Sequence, residues 1–222
     1  VNLTQLHRRL LADVLAIGTP YPLVITGGYA VQAHGLVDRL SQDLDVATEN
    51  PAPMDQIIRT VQAGLTERGW SVREIETDPL SGRLIVTDPA TGEDCEVDIL
   101  KEAFWAPPAA TEHGPVLALD DVIGTKVRAL AERGAVRDLI DVHAASRHHT
   151  TADLERLGRR HARTEFSLSD LRDRLAGAEW WDDADYTGYG LSPHQIADLR
   201  DWALAWASDL DTRLHAEEDP DD

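Results

Sequence analysis

With one cysteine, Cys95, the 222-residue chain can form no internal disulfide, which fits a reducing, cytoplasmic setting. Cys95 flanks an expected strand and reads as a small apolar filler rather than a nucleophile. No apolar run approaches the roughly 20 residues that a bilayer span needs, so no membrane insertion is expected. Residues 1–9 lack a secretory leader's order of basic start, apolar centre and small-residue cleavage site. There is no P-loop and no complete dinucleotide-binding glycine fingerprint. His143, His148 and His149 do not form a His-Glu-x-x-His helix, no cysteine pair exists for zinc, and no serine occupies a Gly-x-Ser-x-Gly elbow. The scattered histidines read as surface or packing residues. Basic residues are also scarce, 21 Lys and Arg against 40 Asp and Glu for a net charge of −19. That balance argues against a simple nucleic-acid binder, because a phosphate backbone demands local positive potential.

The charge is uneven along the chain. Part of the acidic excess lies in residues 217–222, and part in Trp180-Trp181-Asp182-Asp183-Ala184-Asp185. Positive charge gathers at Arg156, Arg159, Arg160, His161 and Arg163, and at Arg128, Arg133 and Arg137. A basic groove on an acidic body and a basic protein partner both stay open.

Apolar residues three and four apart predict an opening helix that ends before Gly18. Leu23-Val24-Ile25-Thr26 then reads as a buried strand running into Gly27-Gly28. A short helix over 29–34 closes at Gly35, and a strand is expected over 43–47. Met54, Ile57, Ile58, Val61 and Leu65 mark a further helix closed by Gly69. Strands are expected over 70–75, 83–87 and 93–100, the last two joined by the turn 88–92 as an antiparallel hairpin. After Pro107-Pro108 the pattern turns helical, over 120–132, 136–146, 152–162 and 168–175. A last helix carries Ile196, Leu199, Trp202, Trp206, Leu210 and Leu214 on one stripe, its tryptophans as core anchors. The fold class is α+β, with an α/β core over 1–108, a helical domain over 109–215 and an acidic disordered tail over 216–222.

The chemistry concentrates in Ser41-Gln42-Asp43-Leu44-Asp45-Val46. On a strand, Asp43 and Asp45 project from one face, with Cα atoms roughly 6.5 Å apart. Both carboxylates can then hold one hard cation, such as Mg²⁺, whose remaining positions go to water and phosphate oxygens. The Gly27-Gly28 turn opening a helix offers unshielded backbone N–H groups to phosphate. In Glu96-Val97-Asp98-Ile99-Leu100 the alternation puts Glu96 and Asp98 on one face. If that strand neighbours the Asp43 strand, one of them becomes a third carboxylate, as two ions roughly 4 Å apart require. Asp98 is favoured, because Val97 and Ile99 flank it as Leu44 and Val46 flank Asp45; Glu96 is the fallback. Further along, Lys126 and Arg133 lie two helical turns apart on one face, and Asp138 and Asp141 share a face of the next helix.

The order Gly27-Gly28, Arg39-x-Ser41-x-Asp43-Leu44-Asp45 and an acidic strand resembles the polymerase-β-like nucleotidyltransferase fold. Gly124-Thr125-Lys126-Val127-Arg128-Ala129-Leu130, then Arg133, then Arg137-Asp138-Leu139-Ile140-Asp141-Val142, is similar to the helical motifs of the AbiEii/AbiGii-type toxins. The resemblance covers residues 22–146. It implies a mixed sheet with flanking helices and a Mg²⁺-dependent nucleotidyltransferase, with Mn²⁺ able to replace Mg²⁺. Such an enzyme would move a nucleoside monophosphate from an NTP to an acceptor hydroxyl. A tRNA 3′ end is the first acceptor implied, with a toxin role and a cognate antitoxin. Asp43, Asp45 and Asp98 would be metal ligands. Lys126 would contact the triphosphate or base, Asp141 would complete the catalytic set, and Arg137 and Asp138 would line the nucleotide. Many members carry serine where this chain has Gly28, so phosphate capture would rest on backbone N–H groups and Ser41. Two alternatives remain, an aminoglycoside-type small-molecule nucleotidyltransferase and a non-catalytic acidic binding module.

Overall fold

A computed structural model describes residues 3–39 and 41–218, with side chains through residue 216. The chain opens with α1 (Gln5–Ile17), whose N-cap Thr4 accepts the backbone N–H of His7 at 3.1 Å. Its buried stripe is His7, Leu10, Leu11 and Val14. Then come β1 (Val24–Ile25), α2 (Gly27–Ala33), β2 (Leu44–Thr48), α3 (Met54–Glu67), β3 (Ser71–Thr77), β4 (Ser81–Thr87), β5 (Asp94–Lys101), β6 (Ala109–Thr111) and β7 (Gly114–Val116). These strands make one mixed sheet in the order β3-β4-β5-β2-β1-β7-β6. β2 and β5 run parallel, while β4 is antiparallel to both β3 and β5, the expected hairpin.

Strict alternation gives the sheet two unlike faces. Leu44, Val46, Leu84, Val86, Val97 and Ile99 are at most 1% exposed, and α3 packs on β3 and β4 with Ile57, Ile58, Val61 and Leu65 fully buried. Each such side chain removed from water contributes about 1.5–3 kcal/mol. The intervening Asp45, Arg83, Ile85, Glu96 and Asp98 stay half-buried on the opposite face, and this is where chemistry can happen.

Several boundaries differ from the sequence expectation. The β2–β5 ladder begins at Leu44 opposite Val97, so Asp43 lies in the bend before the strand rather than inside it. α2 starts earlier than expected, at Gly27. Residues 109–116, grouped with the helical half by composition, supply β6 and β7, with Ile25 opposite Val116. Strands of three residues carry too little alternation to be seen in isolation.

α4 (Leu119–Arg133) is followed by α5 (Val136–Ala145), α6 (Thr151–His161), α7 (Leu168–Ala176), a 3₁₀ turn (Gly177–Glu179), α8 (Asp183–Thr187) and α9 (Pro193–Glu218). Two compact units result, Val1–Val122 and Ile123–Asp222. In the second, α4 and α6 approach closely because each offers a glycine. A Cβ on Gly124 would lie 2.3 Å from the His161 ring, and one on Gly158 would lie 2.6 Å from Val127. On α9, Ile196, Leu199, Ala203, Trp206 and Leu210 are at most 2% exposed, and this helix packs on α7. Trp202, half-buried, lies between His143 and Trp206 in tilted ring contacts, with centroids 5.0 and 5.3 Å away. α9 reaches Glu218, so residues 216–218 of the expected tail are helical, and residues 219–222 lie outside the described ones. Among the described residues no helix is long and apolar enough to cross a membrane.

Candidate active site

The parallel register of β2 and β5 sets Asp45 directly beside Asp98. Both side chains therefore leave the sheet on its half-buried face, with Asp43 at the entry to β2. The turn before α2 closes on the same spot. Gly27 has φ +60°, and a Cβ there would fall 1.9 Å from Asp45 Oδ2. The Thr26 N–H donates to the Asp45 carbonyl at 2.9 Å. Glycine at 27 is thus needed twice, for a left-handed backbone and for room beside a carboxylate. A Cβ at Gly28 would meet Ser41 Oγ at 2.5 Å, so Ser41 lies against the turn where the family pattern has serine in it.

Ser41 is held from behind by residues that sequence reasoning passed over. Tyr29 on α2 donates its hydroxyl to the Ser41 carbonyl at 3.1 Å, and the same hydroxyl contacts Nδ1 of His7 on α1. Burial pushes the His7 pKa down, against the raising influence of Asp43 and Glu93. Burial, with the charges of Cys95 and Asp43, pushes the Tyr29 phenol up. The available signal was a histidine placed on the apolar stripe of α1. Cys95 is buried, as expected of a filler, and burial pushes its thiol up to about 12.

Asp98 has a partner that the motif gave no hint of. Arg83 on β4, opposite Asp98 in the antiparallel register, donates Nε to Oδ1 at 2.7 Å and Nη2 to Oδ2 at 2.8 Å. Its Nε also lies 3.1 Å from Glu96 Oε1. The Asp98 hydrogen bond raises the Arg83 pKa further, outweighing burial. Glu96 is raised by burial, with Asp98, Asp43 and Asp45 adding to it against the opposing Arg83. Four acids therefore share one electrostatic neighbourhood. Among the described residues, no three His, Cys, Asp or Glu side chains group tightly enough to hold a metal ion alone. A pair of strand-end carboxylates still suits Mg²⁺, which takes one or two and completes its shell with water and phosphate.

In the helical unit, the candidates Lys126, Asp138 and Asp141 form a buried ionic cluster with Arg133. Lys126, one of two lysines in the chain, places Nζ 2.8 Å from Asp141 Oδ2 and 3.5 Å from Asp138 Oδ1. Arg133 grips Asp138 with Nε at 2.6 Å and Nη2 at 2.9 Å. Asp138 and Asp141 are 0% and 1% exposed, and Lys126 is 8% exposed. Burial alone would raise the Asp138 carboxyl, but Arg133, Lys126 and Arg137 outweigh it and hold it below the usual range. The cations and carboxylates that sequence placed on matching helical faces thus pair with one another, α4 to α5. Other members of the basic clusters are likewise committed. Arg128 is buried and donates to the His161 carbonyl at 2.9 Å, and Arg156 pairs with Asp153 at 3.1 Å.

The family model described as nucleotidyl transferase AbiEii toxin, type IV toxin–antitoxin system, matches residues 9–210. The chain belongs to the AbiEii family. It is a nucleotidyltransferase toxin, and membership implies a nucleotide substrate and a cognate antitoxin. Among solved structures, this AbiEii protein is similar to MenT4, a nucleotidyltransferase toxin of Mycobacterium tuberculosis, at 20% identity and TM-score 0.60. That match covers 92% of this chain and 82% of the other. It is also similar to JHP933 of Helicobacter pylori at 17% identity and TM-score 0.57, covering 100% of each chain. At these identities the likeness shows a shared fold. By sequence alone the chain matches no curated protein.

Proposed function

We propose that this toxin moves a nucleoside monophosphate from an NTP to an acceptor hydroxyl in the cytoplasm. The reaction releases pyrophosphate, depends on Mg²⁺ (or Mn²⁺ in its place) and takes a tRNA 3′ end as acceptor. The observation that carries this reading is the lateral pairing of Asp45 with Asp98, with Asp43 at the mouth of β2. Nucleotidyltransferases of this family typically use a divalent metal, and hard carboxylate oxygens are the donors such an ion takes. Asp43 and Asp45 would hold it, with Asp98 as the third acid. When bound, it would neutralise phosphate charge and lower the pKa of the attacking hydroxyl. The chain's own residues position the reactants. Gly27 and Gly28 leave the turn bare for phosphate oxygens, and Ser41 offers a hydroxyl beside them. By the family resemblance, Lys126 and Arg137 would contact the nucleotide, Asp138 would line it and Asp141 would complete the catalytic set. Most of the acceleration would come from orientation and charge stabilisation.

Incubation with total tRNA, Mg²⁺ and each labelled NTP in turn tests the reading. Label is expected in tRNA from one nucleotide, and Asp45→Ala should lower incorporation by about 10²-fold or more. Asp45→Ala transferring as fast as the parent would sink the metal assignment. The net charge of −19 favours a second acceptor class, a cationic aminoglycoside. Label appearing on the drug and not on tRNA would move the acceptor to that class.

A further inference from the structure

We propose that Arg83 is the counter-cation a divalent ion must displace from Asp98, so that the ion enters with the nucleotide's phosphates rather than ahead of them. The inference rests on the metal-dependent reading above and adds to it an order of binding. β4, β5 and β2 lie side by side, and their registers put Arg83, Asp98 and Asp45 in one row across the sheet. The guanidinium fork takes both Asp98 oxygens, at 2.7 and 2.8 Å, and reaches Glu96 at 3.1 Å. Both candidates for the third acid therefore share the same cation.

Two of the roughly four acceptor positions on Asp98 are filled by that fork. A guanidinium does not lose its proton in a protein, so its charge leaves Asp98 only if the side chain moves. Movement is open to it, because the Arg83 side chain is 37% exposed. The same fork matches a phosphate as well as a carboxylate. An arriving triphosphate thus offers Arg83 a new anion while it brings the ion to the acids. An ion arriving alone meets a fixed positive charge beside its ligand. Even screened by a dielectric near that of bulk water, about 80, as suits a side chain 37% exposed, repulsion of a divalent ion across roughly 6 Å amounts to about a tenfold loss of ion affinity. Arg83 is in this sense a positioning residue that acts through Asp98.

The test measures Mn²⁺ binding by electron paramagnetic resonance, with manganese chloride alone and then with α,β-methylene analogues of the four NTPs. Wild type should bind Mn²⁺ weakly alone and much more tightly with an analogue. Arg83→Gln should bind Mn²⁺ alone about tenfold more tightly, and Arg83→Lys, which keeps the charge without the fork, should fall between. Equal or weaker Mn²⁺ binding by a folded Arg83→Gln would overturn the inference, since an arginine that merely orders the sheet predicts that result. Should Arg83→Gln not fold, the Arg83 Nε–H resonance of the wild-type protein gives the second readout. It should shift when Mg²⁺ and the analogue are added together. A resonance that stays in place while the ion binds would also overturn the inference. Wild type that binds no Mn²⁺ even with the analogues would instead remove the metal-dependent reading, a result distinguishable from the failure of Arg83 alone.

Discussion

Gly27 shows how one residue can be required by backbone and by chemistry together. Its φ of +60° already penalises a side chain, and a methyl added there would come within 1.9 Å of Asp45 Oδ2 and force the carboxylate aside. Gly35, with φ +70° and open space around its Cβ position, shares the first burden without the second. Gly27→Ala is therefore expected to lower nucleotide transfer by at least about tenfold, while Gly35→Ala costs about 1–2 kcal/mol of stability and leaves transfer near normal. Parallel melting curves and transfer assays separate the two effects. The glycine pair and Asp43-Leu44-Asp45 were legible because both lie within a short local stretch. Arg83 was not, because its partner Asp98 is reached only through strand register.

At the scale of elements, the α4–α6 crossing depends on small residues. Gly158→Leu would drive a large side chain into Val127 and Phe166, where even a Cβ comes within 2.6–2.9 Å. A loss of about 1–3 kcal/mol is expected by chemical denaturation. The α4–α5 ionic cluster adds a pH dependence of known sign. Asp138 is held below its ordinary pKa, so its contribution is fully present above the usual aspartate range near about 4. That contribution is lost as pH falls through the depressed folded value. Asp138→Asn should cost about 3 kcal/mol at neutral pH, the lower end for a buried pair because Arg133 stays half in water. It should also flatten the acid side of the stability profile relative to wild type. An unchanged acid slope would count against the cluster as its source. The matching faces of these helices were readable from their spacing, whereas the pairing of Lys126 with both carboxylates needed the packed helices.

Over the whole molecule, 40 acidic against 21 basic side chains leave a charge of −19. Self-repulsion of that size destabilises the folded chain and weakens as salt shortens the Debye length from about 30 Å at 0.01 M to about 8 Å at 0.15 M. The melting temperature should rise by several degrees over that range in a calorimetric scan. A fall would mean that surface ion pairs, such as Arg59–Asp55 and Arg213–Asp209, outweigh the repulsion.

The amino-acid sequence by itself determined the alternating strands, the 83–100 hairpin, the helical second half and the motif order that resembles the AbiEii toxins. These are local, since apolar periodicity and turn residues act within a few positions of one another. Tertiary structure alone decided that Asp45 sits beside Asp98, that β6 and β7 extend the sheet, that His7 and Tyr29 brace Ser41, and that Arg83 grips Asp98. Each of those joins residues distant in the chain, and such contacts follow from register and packing, which no local pattern encodes.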